Sequence, residues 1–131
     1  MGKGVEFLKE AGVYFIATSD DGQPQLRPFG SNMEYNGRFY FSMGRSKNVF
    51  KQMISNPKIS IAAIKPNRDW IRITGEAVLD ESDDVKNYLF ENNPRINDIY
   101  KDRPGEVAMF FIEKAVCYLN ESGKEPVEVE L

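Results

Sequence analysis

The sequence predicts a mainly β protein with a few short helices, arranged as a small antiparallel barrel of six to eight strands. Three observations predict this class. Short apolar runs of strand length are separated by turn residues, Asn36-Gly37 is a strong hairpin signal, and apolar residues at helical spacing occur only over brief segments. The chain has 131 residues, 41% of them hydrophobic, which is enough apolar material for one core. We therefore expect a single domain over residues 1–131.

Apolar runs locate the expected strands. These strands cover residues 13–18, 24–35, 38–42, 58–64, 70–79, 107–112, 115–121 and 127–131. The second of them runs from Pro24 toward Tyr35, where the Asn36-Gly37 turn joins it to the third. Because Pro28 has no N–H to donate, this strand should bulge or lie at a sheet edge. Gly75 in the fifth strand predicts a bulge or a close approach of another segment.

Helical spacing of apolar residues predicts four short helices. They cover residues 3–11, residues 46–55, a segment from 82 to before 93, and residues 96–100. Gly12 and Pro57 end the first two, and Ser82 is of a type that often begins a helix. Strands in hairpin order with helices inserted at two corners are typical of a barrel whose edges are closed or protected.

The rarest residues restrict the chemistry most. The chain has no histidine and one cysteine, which excludes His-based catalytic triads, His-ligated haem, structural zinc sites and intramolecular disulfides. Cys117 lies between apolar neighbours, so we interpret it as a small buried hydrophobe rather than a reactive thiol. Any reaction must then depend on carboxylates, Lys, Arg, Tyr, backbone amides or a bound cofactor.

Charge and hydropathy narrow the choice of partners. The chain has 17 Lys and Arg and 20 Asp and Glu, which gives a net charge of -3. Because nucleic-acid-binding proteins usually have a basic face, this charge argues against a nucleic-acid partner. The longest uninterrupted apolar stretch, residues 107–112, is far shorter than a membrane span, and the amino terminus lacks the apolar core of a signal peptide. We therefore expect a cytoplasmic protein with no nucleic-acid or membrane partner and no metal site.

A candidate anion site lies where Gly44, Arg45, Ser46 and Lys47 lead into the second predicted helix. Free N–H groups at a helix start and the helix dipole favour an anion, and Ser46 and Lys47 add a hydroxyl donor and an ammonium group. A phosphate monoester would be held well there. The alternative interpretation is that Ser46 caps the helix while Arg45 and Lys47 are solvated.

Arg27 is the second candidate anion ligand. An Arg beside a Pro on an otherwise apolar strand is costly unless it has an anionic partner. If the second and third strands pair through their hairpin, Arg27 and the loop after Ser42 approach one another near the rim of the barrel. Arg27 could instead pair with a carboxylate of the chain such as Glu34.

These segments carry a family resemblance. The runs in question are VYFIAT at 13–18, GQPQLRPFG at 22–30, FYFS at 39–42, KNVFKQMISNPKI at 47–59 and WIRITGEA at 70–77. Together they resemble the FMN-binding split-barrel superfamily related to pyridoxamine 5'-phosphate oxidase, in particular its small stand-alone members of the nitroimidazole-resistance type. The resemblance covers roughly residues 5–79, with a looser strand pattern to the end, and it implies a six- to eight-stranded split β-barrel.

The resemblance implies FMN bound at the interface of a homodimer. By this likeness Arg27 and Lys47 would meet the phosphate, with Arg45 and Ser46 as nearby helpers. Residues implied to line the flavin ring are Pro28, Phe29, Gly30, Phe41 and Ser42. Trp70 would reach the flavin from the other subunit, and its alternative role is a packed dimer-contact or core aromatic.

The implied function is an oxidoreductase that uses FMN for hydride or electron transfer to a small molecule, with NAD(P)H as a candidate electron donor. No side chain is assigned a catalytic role. Related oxidases of pyridoxamine phosphate use an Arg and a His near the carboxyl end, and nitroimidazole-reducing relatives often use a His, so neither activity is expected in a chain without histidine. The alternatives are a non-enzymatic flavin carrier or sensor, a split barrel binding a deazaflavin or haem, and a structural dimer module.

Overall fold

The computed structural model describes residues 2–131, which form eight β-strands and several short helices. Its strands are β1 Tyr14–Asp20, β2 Gln23–Phe29, β3 Met33–Tyr35, β4 Arg38–Gly44, β5 Lys58–Ile64, β6 Trp70–Asp80, β7 Val107–Asn120 and β8 Val127–Val129. Its helices are α1 Lys3–Ala11, α2 Asn48–Ser55, α3 Asp83–Asn92 and α4 Pro94–Tyr100, and a 3-10 turn covers Pro104–Glu106. The predicted mainly β class with short helices is confirmed.

The strands form one sheet in the order β2-β1-β5-β6-β7-β4-β3, with β8 paired to β7. Every pair is antiparallel. Successive side chains of a strand point to opposite faces, so the sheet has an inner face around the core and an outer face. β2 and β3 stand at the two ends of the order. The expected edge position of Pro28, which lies on β2, is therefore confirmed.

The second expected strand is wrong, because it is divided into β2 and β3. β2 pairs with β1 along its whole length, whereas β3 pairs with β4. These partners lie in different parts of the sheet, so the chain must leave one edge after Phe29 and reach the other before Met33. The hairpin at Asn36-Gly37 is confirmed, with φ of 51° and 72° at its two residues, the left-handed conformation that a two-residue type I′ turn requires.

The two strands expected over residues 107–121 are one strand, β7, so their separation is wrong. β6 pairs with both halves of β7, and its register shifts between Thr74 and Glu76. At this point Gly75 lies so close to β7 that a Cβ would meet Ile112 Cγ2 at 2.6 Å, and Lys114 has a φ of 54°. The register shift is therefore a β-bulge at Gly75, as predicted, and β7 continues past it as one strand.

The helices are short, and the first has the expected bounds of Lys3–Ala11 with Gly12 at a φ of 81°. The second begins at Asn48 rather than at residue 46, because Ser46 is held outside the helix and Lys47 is the N-cap. The longest helix, α3, has 10 residues. Among residues 2–131, no helix has both the length and the apolar character to cross a membrane.

Aromatic packing on the inner face joins the end of β2 to β4. The rings of Phe41 and Phe110 stack with centroids 6.0 Å apart, and Phe29 meets Phe41 edge-on at 5.9 Å. The Tyr14 hydroxyl donates a hydrogen bond to the carbonyl of Ser31, which anchors the connection that follows β2. These contacts fix the position of the chain after β2 relative to β4.

Candidate functional site

Arg27 reaches inward from β2 toward α2 and is bound by neutral acceptors. Its Nη1 donates to the carbonyl of Ile16 at 3.1 Å and to Thr18 Oγ1 at 2.8 Å, and its Nη2 donates to Gln52 Oε1 at 2.7 Å. Thr18 Oγ1 also donates to Gln52 Oε1 at 2.5 Å. Partial burial lowers the pKa of the guanidinium of Arg27 because desolvation disfavours its charged form.

The alternative pairing of Arg27 with Glu34 is wrong. Glu34 forms an ion pair with Lys9. Among residues 2–131, no carboxylate lies within 4.0 Å of the guanidinium nitrogens of Arg27. The positive charge of Arg27 is thus solvated by hydrogen bonds and is not neutralised, so it favours an anion in its neighbourhood.

The loop before α2 is held by the 3-10 turn Pro104–Glu106. The Arg45 N–H donates to the carbonyl of Glu106 at 2.7 Å, and Arg45 Nε donates to the carbonyl of Gly105 at 2.9 Å. The N–H and hydroxyl of Ser46 both donate to Glu106 Oε1, at 2.9 Å and 2.7 Å. Arg45 also forms an ion pair with Glu81. Both helper residues of the predicted phosphate site therefore contact carboxylates of the chain itself.

The interpretation of Ser46 as the helix cap is wrong, since its hydroxyl bonds to Glu106 and the N-cap residue is Lys47. No side chain caps this helix start, so N–H groups of the first turn of α2 remain available to an anion. Lys47 is exposed, and no carboxylate of residues 2–131 lies within 4.0 Å of its ammonium group. Arg27 contacts the same helix one turn further on, through Gln52.

A cavity of about 360 Å³ lies between the end of β2, the end of β4 and α4. Its lining residues are Pro28, Phe29, Gly30, Ser31, Ser42, Met43, Asn93, Arg95, Ile96, Ile99, Tyr100 and Val107. Four of the five residues predicted to line a flavin ring are among them. Phe41, the fifth, is 1% exposed and belongs to the core beneath the cavity. The lining combines apolar side chains such as Phe29 and Ile99 with polar ones such as Ser42 and Arg95, a mixture that can contact both the faces and the polar edge of a planar aromatic ligand.

A larger cavity of about 660 Å³ lies between α2 and the turn that joins β1 to β2. It is lined by Asp20 and Asp21 together with polar residues of α2 such as Asn48 and Lys51. Two carboxylates disfavour a phosphate, and none of the residues predicted to line the flavin ring borders this cavity. The smaller cavity is therefore the better candidate for a flavin-like ligand.

Trp70 lies on the outer face of the sheet, half-buried beside Arg72, whose guanidinium carbon is 5.0 Å from the centroid of the indole ring. The core alternative for Trp70 is therefore wrong. Its strand, β6, lies three strands from β2 in the sheet order. Trp70 does not line the cavity that contains Pro28 and Ser42.

The outer face around Trp70 is apolar and open across five strands. Register brings Pro28 of β2 beside Phe15 of β1, and Phe15 beside Ala62 of β5. The large apolar side chains exposed on this face are Val13, Phe15, Leu26, Ile64, Val116 and Tyr118. Pro28 lies on this face and also lines the 360 Å³ cavity, so the cavity opens beside it.

Sequence reasoning did not identify Thr18 or Glu106, and it favoured a solvated surface role for Gln52 over contact with the ribityl chain of the flavin, whereas the structure buries Gln52. Gln52 follows Val49 by three positions and therefore lies on the buried face of α2, a spacing that could have indicated its burial. Thr18 occupies an inward position of β1, next to the predicted turn. No local signal identifies Glu106, because its partner Ser46 is 60 positions away in the sequence.

The sequence also matches a known family over most of its length. The family model described as pyridoxamine 5'-phosphate oxidase matches residues 2–116. The chain belongs to this family. A search of curated proteins finds no significant match. The resemblance inferred from the strand and helix motifs is thus confirmed.

Solved structures agree with membership in the pyridoxamine 5'-phosphate oxidase family. A NimC/NimA family protein from Clostridium acetobutylicum is 36% identical, with a TM-score of 0.92 over 98% of this chain and 90% of that one. General Stress Protein 26 from Bacillus anthracis is 15% identical, with a TM-score of 0.72 over 94% and 93%. A heme binding protein from Mycobacterium smegmatis is 13% identical, with a TM-score of 0.76 over 95% of this chain and 55% of that one. The predicted split β-barrel is confirmed.

Proposed function

We propose that this family member is an FMN-binding oxidoreductase that acts on a small molecule as a cytoplasmic homodimer. The observation that carries the proposal is the 360 Å³ cavity, where the ends of β2 and β4 bring together Pro28, Phe29, Gly30 and Ser42. Ser42 is distant in sequence from the Pro28, Phe29 and Gly30 segment, and the fold brings both to the lining of one cavity. When bound, FMN would supply hydride- or electron-transfer chemistry, which amino-acid side chains do not provide by themselves.

The residues present fit the phosphate end of FMN. α2 begins without a side-chain cap, and Lys47 at its start has no carboxylate partner within 4.0 Å among residues 2–131. Lys47 and the first N–H groups of α2 would hold the phosphate, and the unneutralised charge of Arg27 would support it from the next turn. Arg45 and Ser46 add donors on the other side of Lys47, where they contact Glu81 and Glu106.

The outer face supports a second copy of the chain as the partner. Exposed Phe15, Leu26 and Ile64 form part of an apolar surface that is unusual for a protein that acts alone. Trp70 lies on this face, away from the cavity of its own subunit. In a homodimer formed through this face, Trp70 would cover the flavin of the partner subunit, as the family resemblance implies.

Absorption spectroscopy tests the proposal. Purified protein, or apoprotein mixed with FMN, should show the visible bands of a bound oxidised flavin after gel filtration, and mass spectrometry of the released ligand should give FMN. Anaerobic addition of NADH or NADPH should then bleach these bands. A colourless protein that takes up no FMN contradicts the proposal, and a released haem or deazaflavin identifies a different cofactor.

The same experiment separates an oxidoreductase from a carrier. A carrier would bind FMN with equal affinity but keep it oxidised when NADH, NADPH and small electrophiles are added. Turnover that depends on both an electron donor and an acceptor supports the oxidoreductase. A flavin that stays oxidised in the presence of both donors supports the carrier or sensor.

A further inference from the structure

Glu106 accepts hydrogen bonds from Ser46, the residue that precedes Lys47 in the proposed phosphate site. One oxygen, Oε1, accepts from both the N–H and the hydroxyl of Ser46, at 2.9 Å and 2.7 Å. The same oxygen lies 3.1 Å from the position that a Cβ on Gly44 would take, so the carboxylate packs against the loop while staying accessible to solvent. A backbone N–H, a hydroxyl and nearby cations are the donor set that binds phosphate oxygens.

Glu106 is ionised under ordinary conditions. The hydroxyl and the N–H of Ser46 hold the pKa of its carboxyl below the usual range, with smaller help from the charges of Arg103 and Arg45. A carboxylate and a phosphate are both oxyanions, and two of them do not share one pair of donors without strong repulsion. Phosphate can use the Ser46 donors only after Glu106 leaves them.

We propose that Glu106 determines the cofactor specificity of this site by competing with the flavin phosphate for Ser46. The inference rests on the proposed function, because it assigns the phosphate of FMN to this loop. Its consequence is selective: Glu106 weakens binding of FMN, which carries the phosphate, and leaves riboflavin, which lacks it, unaffected. The natural protein therefore prefers FMN over riboflavin by a smaller factor than it would if the Ser46 donors were free.

Two substitutions of Glu106 separate competition from structural support. Glu106→Gln removes the charge and keeps an oxygen that accepts from Ser46, so the loop stays anchored. Glu106→Ala frees the Ser46 donors entirely. Glu113→Gln is the matched control, since Glu113 is exposed on β7, forms no ion pair within 4.0 Å among residues 2–131, and changes the net charge equally.

Fluorescence titration of each full-length apoprotein with FMN and with riboflavin measures the effect. We expect the dissociation constant of FMN to fall about tenfold in Glu106→Ala and to fall less in Glu106→Gln, while the constant for riboflavin stays within about twofold. Glu113→Gln should behave as the natural protein. The inference is overturned if both Glu106 variants bind FMN as tightly as the natural protein or more weakly, and if Glu106→Gln unfolds at the same temperature as the natural protein. That result leaves the proposed function standing.

Inorganic phosphate gives a readout that does not depend on flavin. In a titration followed by the amide resonance of Ser46, Glu106→Ala should respond at about tenfold lower phosphate concentration than the natural protein. If Glu106→Ala responds in this way and neither it nor the natural protein binds FMN or riboflavin, the competition for Ser46 is supported and the proposed function is contradicted. The absence of any difference between the natural protein and Glu106→Ala overturns the competition itself.

Discussion

Thr18 and Gln52 meet across 34 positions of sequence, with Thr18 Oγ1 donating to Gln52 Oε1 at 2.5 Å. Both oxygens also accept from Arg27, at 2.8 Å and 2.7 Å. Thr18 is 4% exposed and Gln52 is 9% exposed, so β1, β2 and α2 are joined by a hydrogen-bonded triad that lies largely out of solvent. The triad places the first turn of α2, with Lys47, relative to the strand that carries Pro28.

Removal of the Thr18 hydroxyl should destabilise the protein. Thr18→Val keeps the shape of the side chain but leaves Arg27 and Gln52 each short of one hydrogen bond. Because the groups left unsatisfied are buried or half-buried, we expect the free energy of unfolding to fall by about 1–3 kcal/mol. Urea denaturation measures this change, and Thr74→Val, the same substitution at an exposed strand position, should change it by less than about 0.5 kcal/mol. Equal effects of the two variants would contradict a stabilising triad.

The outer face should determine the oligomeric state. Ile64 on β5 is 60% exposed on this face, whereas Ile54 on α2 is 53% exposed away from the sheet. Ile64→Glu should yield a monomer, because a buried, unpaired carboxylate at the interface is costly. Ile54→Glu should remain a dimer, and sedimentation velocity distinguishes the two. A natural protein that sediments as a monomer, or a dimer unaffected by Ile64→Glu, rules out this interface.

Lys47 should bind the phosphate of FMN and contribute little to riboflavin binding. Lys47→Gln removes one ammonium group at the start of α2, so we expect the dissociation constant of FMN to rise about tenfold or more. The constant for riboflavin should change by less than about twofold. Lys101→Gln, at an exposed position after α4, is the control for net charge. Equal losses for both flavins would place the phosphate elsewhere.

Cys117 should resist thiol reagents in the folded protein. Its side chain is 1% exposed, and burial, with a smaller effect of the Glu128 charge, raises the pKa of its thiol to about 11. The reactive thiolate is therefore a minor species at all pH values well below 11, and access to it is blocked. Iodoacetamide at about pH 8 should leave the native protein unmodified for hours, and one equivalent should react after denaturation. Rapid labelling of the native protein would show an exposed, activated thiol.

Much of the fold could be predicted from local pattern. The helix over Lys3–Ala11, the turn at Asn36-Gly37 and the bulge at Gly75 each follow from residues within a few positions of one another. The division of the second strand could not be predicted, because it depends on which edges of the sheet β2 and β3 join. The continuity of β7 across Lys114 likewise depends on its pairing with β6.

The candidate site shows the same division between local and distant causes. The sequence identifies two parts of the site: the cationic and backbone donors before α2, and the segment of Pro28, Phe29 and Gly30. The assignment of both parts to a flavin stays a prediction. Arg27 was expected to need an anion, yet neutral acceptors on Ile16, Thr18 and Gln52 hold it. The acceptors come from two other elements, so only the packing of α2 against β1 shows them.

By itself, the absence of histidine determined that imidazole chemistry plays no part in this protein, since that depends on composition alone. Local sequence also determined helix α1, the turn at Asn36-Gly37 and the bulge at Gly75. The tertiary structure alone decided that Glu106 accepts hydrogen bonds from Ser46 and that Trp70 does not line the cavity that contains Pro28 and Ser42. Both facts arise from pairings between distant segments, whose free energy depends on which surfaces meet rather than on which residues are neighbours in sequence.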